Sequence, residues 1–154
     1  MEKINDSELK LFVDSVRNYF KVVTRHEPQI TSAFLATGEI ESHGFSGLVS
    51  FSGSYRGHVM VSMPAALLRE LLLLQHETDL SEANMLDAVG EIANTLAGNA
   101  RKSLALGTDL NITVPVKFQG NSELKQRVRK LPYMITLRWN HQHAIVCIHL
   151  ERSA

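Results

Sequence analysis

A polar stripe at helical spacing holds the residues of this sequence that are best suited to chemistry. Its members are Asp87, Glu91, Asn94 and Gly98. At about 100° per residue they fall within a sector of about 60° on one side of a helix. A carboxylate can pair with a cation, and an amide can donate and accept hydrogen bonds without titrating near pH 7. A helix with such a stripe on its outer face could insert it into a partner.

The helix that must carry this stripe is predicted to be the longest element of the chain. It extends from about Ser81 to Leu106, and Gly107 is a natural C-terminal stop. Asp79 and Glu82 have the spacing of a capping box before it. An apolar face lies opposite the stripe and predicts burial in the core. That face consists of Leu86, Val89, Ala93, Leu96, Ala100 and Leu104.

Small residues lie next to the stripe, at Ala88, Gly90, Ala97 and Gly98. A glycine inside a helix costs roughly 1 kcal/mol relative to alanine, so two of them suggest that something approaches the helix backbone closely. That neighbour could be a partner protein. The alternative is tight packing against a neighbouring helix of the same chain.

The remaining elements form a pattern that occurs twice. A first helix starts near Asp6, with Asn5 and Glu8 as its capping box. The order helix, strand, hairpin then recurs in the second half, without evident residue identity. The pattern predicts an α+β fold, with a six-stranded, mostly antiparallel sheet covered by long helices, as one domain over residues 1–154. The predicted segments are strands at 31–36, 48–52, 58–63, 110–118, 131–139 and 144–150, loops at 38–44 and 140–143, and a helix at 64–76.

Composition narrows the classes of function. The formal net charge is zero, which gives no reason to expect binding to nucleic acid or to an anionic membrane. Cys147 is the only cysteine, so an internal disulfide and a cysteine-based zinc site are excluded. The first residues show no signal-peptide core, and the most apolar run, from Ala65 to Leu74, is too short for a bilayer. We expect a cytoplasmic protein.

The stripe and its surroundings resemble the signature of the CheC/CheX/FliY phosphatases. That signature has an acidic residue or serine, then glutamate, then asparagine, and a proline further along the chain. Here these are Asp87, Glu91, Asn94 and Pro115, with Pro115 slightly closer to Asn94 than is usual. The segment 114–120 and the hairpin that ends in Met63-Pro64 are similar to the family too, so that the likeness covers about residues 6–150.

This resemblance implies a hydrolase that removes the phosphoryl group from a phosphorylated CheY-like receiver domain. Asn94 would orient the attacking water and Glu91 would pair with the receiver's active-site lysine. Asp87 and Gly98 would be partner-binding positions. The Mg²⁺ ion and the phosphorylated aspartate would belong to the receiver, so that the chain would need no metal or cofactor of its own.

The first helix decides between the members of this family. CheC-like members carry two sites and CheX-like members carry one. Where a second copy would lie, the sequence reads Ser15-Val16-Arg17-Asn18, without glutamate. We therefore expect one site per chain, as in CheX-like members, which also form homodimers.

Two other functions fit the same fold. One is a receiver-binding or adaptor domain that does not hydrolyse phosphate, and the other is a dimerisation domain that uses its edge strands. Other motifs have ordinary structural interpretations. We expect His141, His143 and His149 to be surface histidines, Cys147 to be a structural thiol, and the basic segment from Lys125 to Lys130 to be a mobile loop.

Overall fold

Four helices and seven strands make up residues 3–104, 109–128 and 130–153, which the computed structural model describes. The helices are α1 (Asp6–Thr24), α2 (Ala65–Leu74), α3 (Glu82–Leu104) and α4 (Asn121–Arg127). The strands are β1 (Gln29–Leu35), β2 (Phe45–Gly53), β3 (Tyr55–Met63), β4 (Leu110–Ile112), β5 (Val116–Gln119), β6 (Tyr133–Trp139) and β7 (Gln142–Arg152).

All seven strands belong to one antiparallel sheet, which confirms the predicted α+β class. The strand order is β1-β6-β7-β3-β2-β4, and β5 pairs with β2 beyond β4 along the same edge. The hairpins β2–β3 and β6–β7 meet at the centre through β3 and β7. The single strand of each half pairs with the hairpin of the other half, β1 with β6 and β5 with β2. The predicted repeat of helix, strand and hairpin is therefore present.

The sheet has one strand more than predicted because residues 110–118 are not continuous. Thr113 leaves the strand path: its N–H donates to the Ser50 carbonyl (3.0 Å), and its Oγ1 accepts from the Ser50 N–H (3.0 Å). Pro115 has no N–H to donate to a ladder. β4 and β5 consequently pair with two separate parts of β2, and residues 113–115 form a turn between them.

The core has two layers because side chains alternate across the sheet. One face packs against α1, α2 and α3, and the other is covered by α4 and by residues 36–40. Among the buried residues facing the three long helices are Val49, Val59, Val61, Ile135, Leu137, Val146 and Ile148. Those on the second face include Leu48, Met60, Phe118, Ile145 and Cys147. Within the described ranges, no helix has the length and apolar character needed to cross a membrane.

The capping box predicted for α1 is confirmed. The Glu8 N–H donates to Asn5 Oδ1 (2.9 Å), and the Asn5 N–H donates to Glu8 Oε1 (3.0 Å). The Glu8 carboxylate also accepts hydrogen bonds from the Tyr55 hydroxyl and the Arg152 guanidinium. The start of α1 is thereby bound to β3 and β7.

The cap of α3 differs from the predicted one. The Asn84 N–H donates to Ser81 Oγ (3.3 Å), and the Met85 N–H donates to the Ser81 carbonyl (2.9 Å), so Ser81 is the cap residue. Asp79 instead accepts from the Ser81 N–H (3.0 Å) and forms the turn before the helix. The predicted stop at Gly107 lies outside the described residues.

The basic segment from Lys125 to Lys130 was wrongly predicted to be a mobile loop along its whole length, because its first part belongs to α4. Leu124 is buried against the second face of the sheet. Arg127 pairs with Glu123 one turn earlier (3.2 Å) and lies over the Phe118 ring. The buried leucine, the ion pairs of Lys125 and Arg127 and the ring contact place this short helix, although these contacts leave almost no periodic signal in the sequence.

The second hairpin turn is shorter than predicted. Asn140 and His141 have φ values of 48° and 67°, as in the two-residue turns that match the twist of paired strands. Gln142 and His143 consequently already belong to β7.

The structure confirms the interpretation of Cys147 and of two of the three histidines, His141 and His143. Cys147 is fully buried, and burial raises the pKa of its thiol to about 12, which confirms a structural thiol. His141 and His143 are exposed as predicted. His149 is not a surface residue: its side chain is 10% exposed and packs 5.7 Å from the His58 ring. In the part of the chain that the structure describes, no three His, Cys, Asp or Glu side chains lie together as a metal site would require.

Candidate active site

Helix α3 is held by its apolar face against β2 and α1, which sets the direction of its polar stripe. Val89, Ala93, Leu96 and Ala100 are buried as predicted, while Leu86 and Leu104 are partly buried. The buried face also includes residues not predicted for it: Met85, Gly90, Ile92 and Ala97.

The stripe faces outward. Asp87, Glu91 and Asn94 are exposed, and Gly98 is partly exposed. Because Glu91 and Asn94 lie one turn apart on a helix whose other side is buried, both can contact the same external surface. The structure brings together all four predicted residues on one face of α3.

The two glycines of α3 have different surroundings. A Cβ at Gly90 would lie 2.9 Å from Lys117 Cγ and Cδ and 3.4 Å from Pro115 Cβ. A Cβ at Gly47 of β2 would lie only 2.5 Å from the Val89 carbonyl oxygen. Tight packing within the chain thus explains Gly90, but the neighbours are β2 and β5 instead of a helix. Apart from its chain neighbours and the nearby backbone of its own helix, Gly98 has no described heavy atom within 4 Å of its Cβ position, so its surface is open.

Asp87 already has a partner inside the chain. Its carboxylate accepts a hydrogen bond from the Lys117 ammonium of β5 and forms an ion pair with it. The aliphatic part of Lys117 crosses Gly90 to reach it. Asp87 therefore holds β5 against α3, a role that could not be predicted from sequence.

Glu91 lies between two shallow concavities. One has a volume of about 280 Å³ and lies on the β5 side, where Val114, Pro115 and Lys117 form its wall. The other has a volume of about 260 Å³ and lies between α1, α2 and α3, with Tyr19 among its lining residues. Both are below the range of roughly 300–1,000 Å³ typical of small-molecule sites. They have room for side chains of a partner, and α3 forms the ridge between them.

The chemistry available at this ridge is positioning and charge pairing. Asn94 offers an amide that can hold a water or a ligand oxygen, and Glu91 offers a carboxylate. Among the described residues, neither Glu91 nor Asn94 forms an ion pair or a side-chain hydrogen bond within the chain. Both groups are therefore available to a molecule that docks on α3.

The residues at this site that were not predicted to belong to it include Tyr19, Val114 and Lys117. Burial raises the pKa of Tyr19 to about 12, so its hydroxyl remains protonated. Val114 and Lys117 lie in a segment that the sequence predicted as part of one strand. Their nearness to α3 depends on the pairing of β5 with β2, which no local pattern reveals.

This fold and this outward stripe define the class: an α+β protein in which one helix exposes a polar face. A family model described as chemotaxis phosphatase CheX matches residues 45–138, which is more than half of the chain and includes α3 and β5. The chain belongs to the CheX family. Comparison with curated proteins gives no match.

Solved structures have the same fold. The chemotaxis protein CheX from Vibrio vulnificus is 22% identical over 94% of this chain and 99% of its own, with a TM-score of 0.76. A CheC-like superfamily protein from Shewanella sp. PV-4 is 20% identical over 96% of this chain and 99% of its own, also with a TM-score of 0.76. A CheX–CheY–BeF₃–Mg²⁺ complex from Borrelia burgdorferi contains a chain that is 18% identical over 94% of this chain and 98% of its own, with a TM-score of 0.72. At these identities the likeness establishes the fold.

Proposed function

We propose that this protein is an aspartyl-phosphate phosphatase that acts on a phosphorylated CheY-like receiver domain, with one active site per chain on α3. The observation that carries the proposal is the pair Glu91 and Asn94, which faces outward without a side-chain partner among the described residues and lies within the segment that matches the CheX family. In the proposed reaction, water attacks phosphorus, the bond from phosphorus to the receiver's aspartate oxygen breaks, and inorganic phosphate leaves.

Asn94 has the role of placing the water. Phosphoryl transfer depends mainly on positioning and on stabilisation of charge, and the attacking oxygen must be in line with the breaking bond. The Asn94 amide can accept a hydrogen bond from water through its oxygen and still donate to a phosphoryl oxygen through its nitrogen. It does not need to remove a proton.

Glu91 has the role of anchoring α3 on the receiver. The family resemblance assigns it to the receiver's active-site lysine, and its exposure one turn before Asn94 fits that role. Gly98 leaves open backbone surface for close approach. Asp87 remains a proposed partner contact, although its carboxylate also binds Lys117.

The receiver supplies the metal ion in this proposal. The CheX from Borrelia burgdorferi was solved with CheY, BeF₃ and Mg²⁺, and this supports a receiver that brings Mg²⁺ together with its phosphoryl group. The chain then needs no cofactor of its own. Such a partner also places the protein in the cytoplasm, which cell fractionation followed by immunoblotting would check.

Phosphate release from a panel of phosphorylated CheY-like receivers tests the proposal. We expect the wild-type chain to accelerate release from at least one receiver, and Asn94→Ala to abolish most of that acceleration. Asn18→Ala is the matched control, because Asn18 is an exposed asparagine on α1, in the half without a site. Full activity in Asn94→Ala, or none in wild type with any receiver, would refute the proposal.

The non-catalytic alternatives make different predictions in the same assay. An adaptor would bind a phosphorylated receiver and leave its rate of dephosphorylation unchanged. A dimerisation domain would do neither. The presence of both Glu91 and Asn94 favours the enzyme, because receiver binding alone does not require a water-positioning amide next to the anchor.

We also propose a homodimer that forms through an edge strand. In the described part of the chain β1 pairs with β6 alone, and it exposes Phe34 and Leu35 to 42% and 41%. Unpaired strand edges bind other strands readily. Size-exclusion chromatography with light scattering should give twice the 17.2 kDa chain mass, and a monomer at micromolar concentration would contradict it.

A further inference from the structure

We infer that Val114 is the apolar anchor through which this protein docks its receiver, and that the receiver presents apolar surface beside the cation that Glu91 binds. This inference rests on the proposed function and adds a specificity-determining residue outside the stripe. Val114 lies in the turn between β4 and β5, on the wall of the concavity that it shares with Glu91.

Val114 has the most exposed large apolar side chain of the described residues. It is 85% exposed, compared with 72% for Val22 and 41–53% for the other exposed large apolar side chains of the described ranges. A single exposed apolar residue is ordinary on a protein surface. Val114 differs because it lies on the wall of the concavity where a docked partner must remove water.

The turn that presents Val114 is held in place. Thr113 is bound to Ser50 by two hydrogen bonds of 3.0 Å, one from its own N–H and one to its side-chain oxygen. Pro115 packs at Gly90, and both flanking strands pair with β2. A partner that buries Val114 therefore loses little entropy in ordering this turn, which favours binding.

The charges around Val114 identify the surface that fits it. Lys117 and Asp87 form an ion pair along the same wall and largely neutralise each other. Glu91 contributes a carboxylate that has no cation partner among the described residues. As far as the structure describes the chain, the concavity therefore combines an apolar wall with a negative charge that no cation neutralises. A partner surface with a cation next to apolar side chains would complement it.

Continuity with the proposed site selects the receiver as the occupant. A receiver whose phosphoryl group reaches Asn94 must also cover Glu91, and Glu91 is part of the concavity that Val114 lines. A second copy of the chain on this wall would block access to α3. Dimerisation through β1 uses the opposite edge of the sheet and leaves the wall free.

The test uses the full chain with Val114→Ala and Val114→Asp. We expect Val114→Ala to raise KM for the phosphorylated receiver roughly three- to tenfold with kcat within about twofold, because two buried methyl groups are lost from binding alone. Val114→Asp should raise KM by more than about tenfold, since it adds a charge beside Glu91. Affinity for a receiver activated with beryllofluoride and Mg²⁺ should fall in parallel. Val22→Ala is the matched control, since Val22 of α1 is 72% exposed and lines neither concavity beside Glu91.

The outcomes separate this inference from the proposed function. If both Val114 variants keep the wild-type KM and affinity, the anchoring role of Val114 is refuted and the proposed phosphatase activity is not. A fall in kcat at unchanged KM would have the same meaning. If wild type binds the activated receiver without hydrolysing phosphate, the phosphatase fails, and a weaker complex with Val114→Ala still supports the anchor. If no receiver binds, both fail. Thermal unfolding at the wild-type temperature would show that the variants are folded.

Discussion

Two side chains one turn apart on α3, Glu91 and Asn94, have separate tasks because their chemistry differs. A carboxylate binds a cation over several ångströms through charge, whereas an amide acts only at hydrogen-bond distance. Glu91 should thus mainly determine the affinity for the receiver, and Asn94 should determine whether the attacking water is aligned. The distinction is measurable, because the first affects binding and the second affects the rate of the bound complex.

Replacement of Asn94 by alanine should lower the rate of phosphate release from the bound complex by about a hundredfold or more, since misplacement of a reacting group costs about that much. Affinity for the beryllofluoride-activated receiver should stay within about threefold of wild type, because an exposed neutral side chain is removed. Single-turnover phosphate release and a binding titration would measure the two effects. A loss of affinity equal to the loss of rate would show that Asn94 is a binding residue.

Replacement of Glu91 by glutamine keeps the shape of the side chain and removes its charge. We expect receiver affinity to fall about tenfold or more and its dependence on salt to become weaker, because an ion pair at a wet interface is screened by salt. Titrations at low and high ionic strength would measure both. The Glu82→Gln variant, which changes an exposed carboxylate at the start of the same helix, is the control. Equal affinity and an equal salt dependence in wild type and Glu91→Gln would contradict the anchoring role.

At the scale of elements, the approach of α3 to the sheet determines where the stripe is presented. Gly47 of β2 lets the helix backbone come within contact distance at Val89, and Gly90 accommodates Lys117 from the β5 side. The helix is thus held between two strands. Its position depends on the absence of side chains at these two places, whereas Gly98 supports no contact within the described chain.

Substitution of alanine at Gly47 and at Gly98 should have opposite effects on stability. Gly47→Ala should lower the free energy of unfolding by about 1–3 kcal/mol or more, because its Cβ would overlap the backbone of α3. Gly98→Ala should raise it by up to about 1 kcal/mol, because a helix interior favours alanine and the space is open. Urea denaturation would measure both changes.

The same Gly98→Ala variant tests the partner contact. If the receiver approaches α3 closely there, receiver affinity should fall although the protein is more stable. Higher stability with unchanged receiver affinity in this variant would show that Gly98 is not part of the interface.

At the scale of the whole molecule, the two faces of the sheet differ. One face packs against the long helices through apolar residues, and the other carries a pair of histidines next to its apolar cluster. His58 of β3 and His149 of β7 are paired across the strands on this second face. Burial, and secondarily His149, lower the pKa of His58 to about 4. Burial also lowers the pKa of His149, and the carboxylate of Glu151 opposes that effect.

These lowered pKa values predict stability that depends on pH. The unfolded chain binds protons at histidine near pH 6.5, and the folded chain does not take one at His58 until about pH 4. The free energy of unfolding should therefore fall as the pH is lowered from about 6.5 to about 4. His58→Gln should flatten this decline, measured by urea denaturation at pH 7 and pH 4.5. The control His143→Gln changes an exposed histidine of β7 and should keep the wild-type slope. An unchanged slope in His58→Gln would refute the assignment.

Periodic patterns explain why some of these features could be predicted from sequence. The 3.6-residue pattern repeats over the whole length of α3, which has 23 residues. It therefore predicted Glu91 and Asn94 on one face and the apolar residues on the other, as observed. The capping box of α1 is local, and it was predicted for the same reason. Helix α4 has seven residues and one buried leucine, which is too little periodicity to distinguish it from a loop.

The sequence by itself determined the α+β class, the outward stripe and the likeness to the CheX family, because all three depend on residue order over short distances. Only the tertiary structure decided that Lys117 binds Asp87, that Gly90 is used inside the chain while Gly98 is open, and that Val114 forms a wall of the site. These contacts join residues far apart in sequence. Their physical cause is the pairing of β5 with β2, which depends on the register of the whole sheet and on no local pattern.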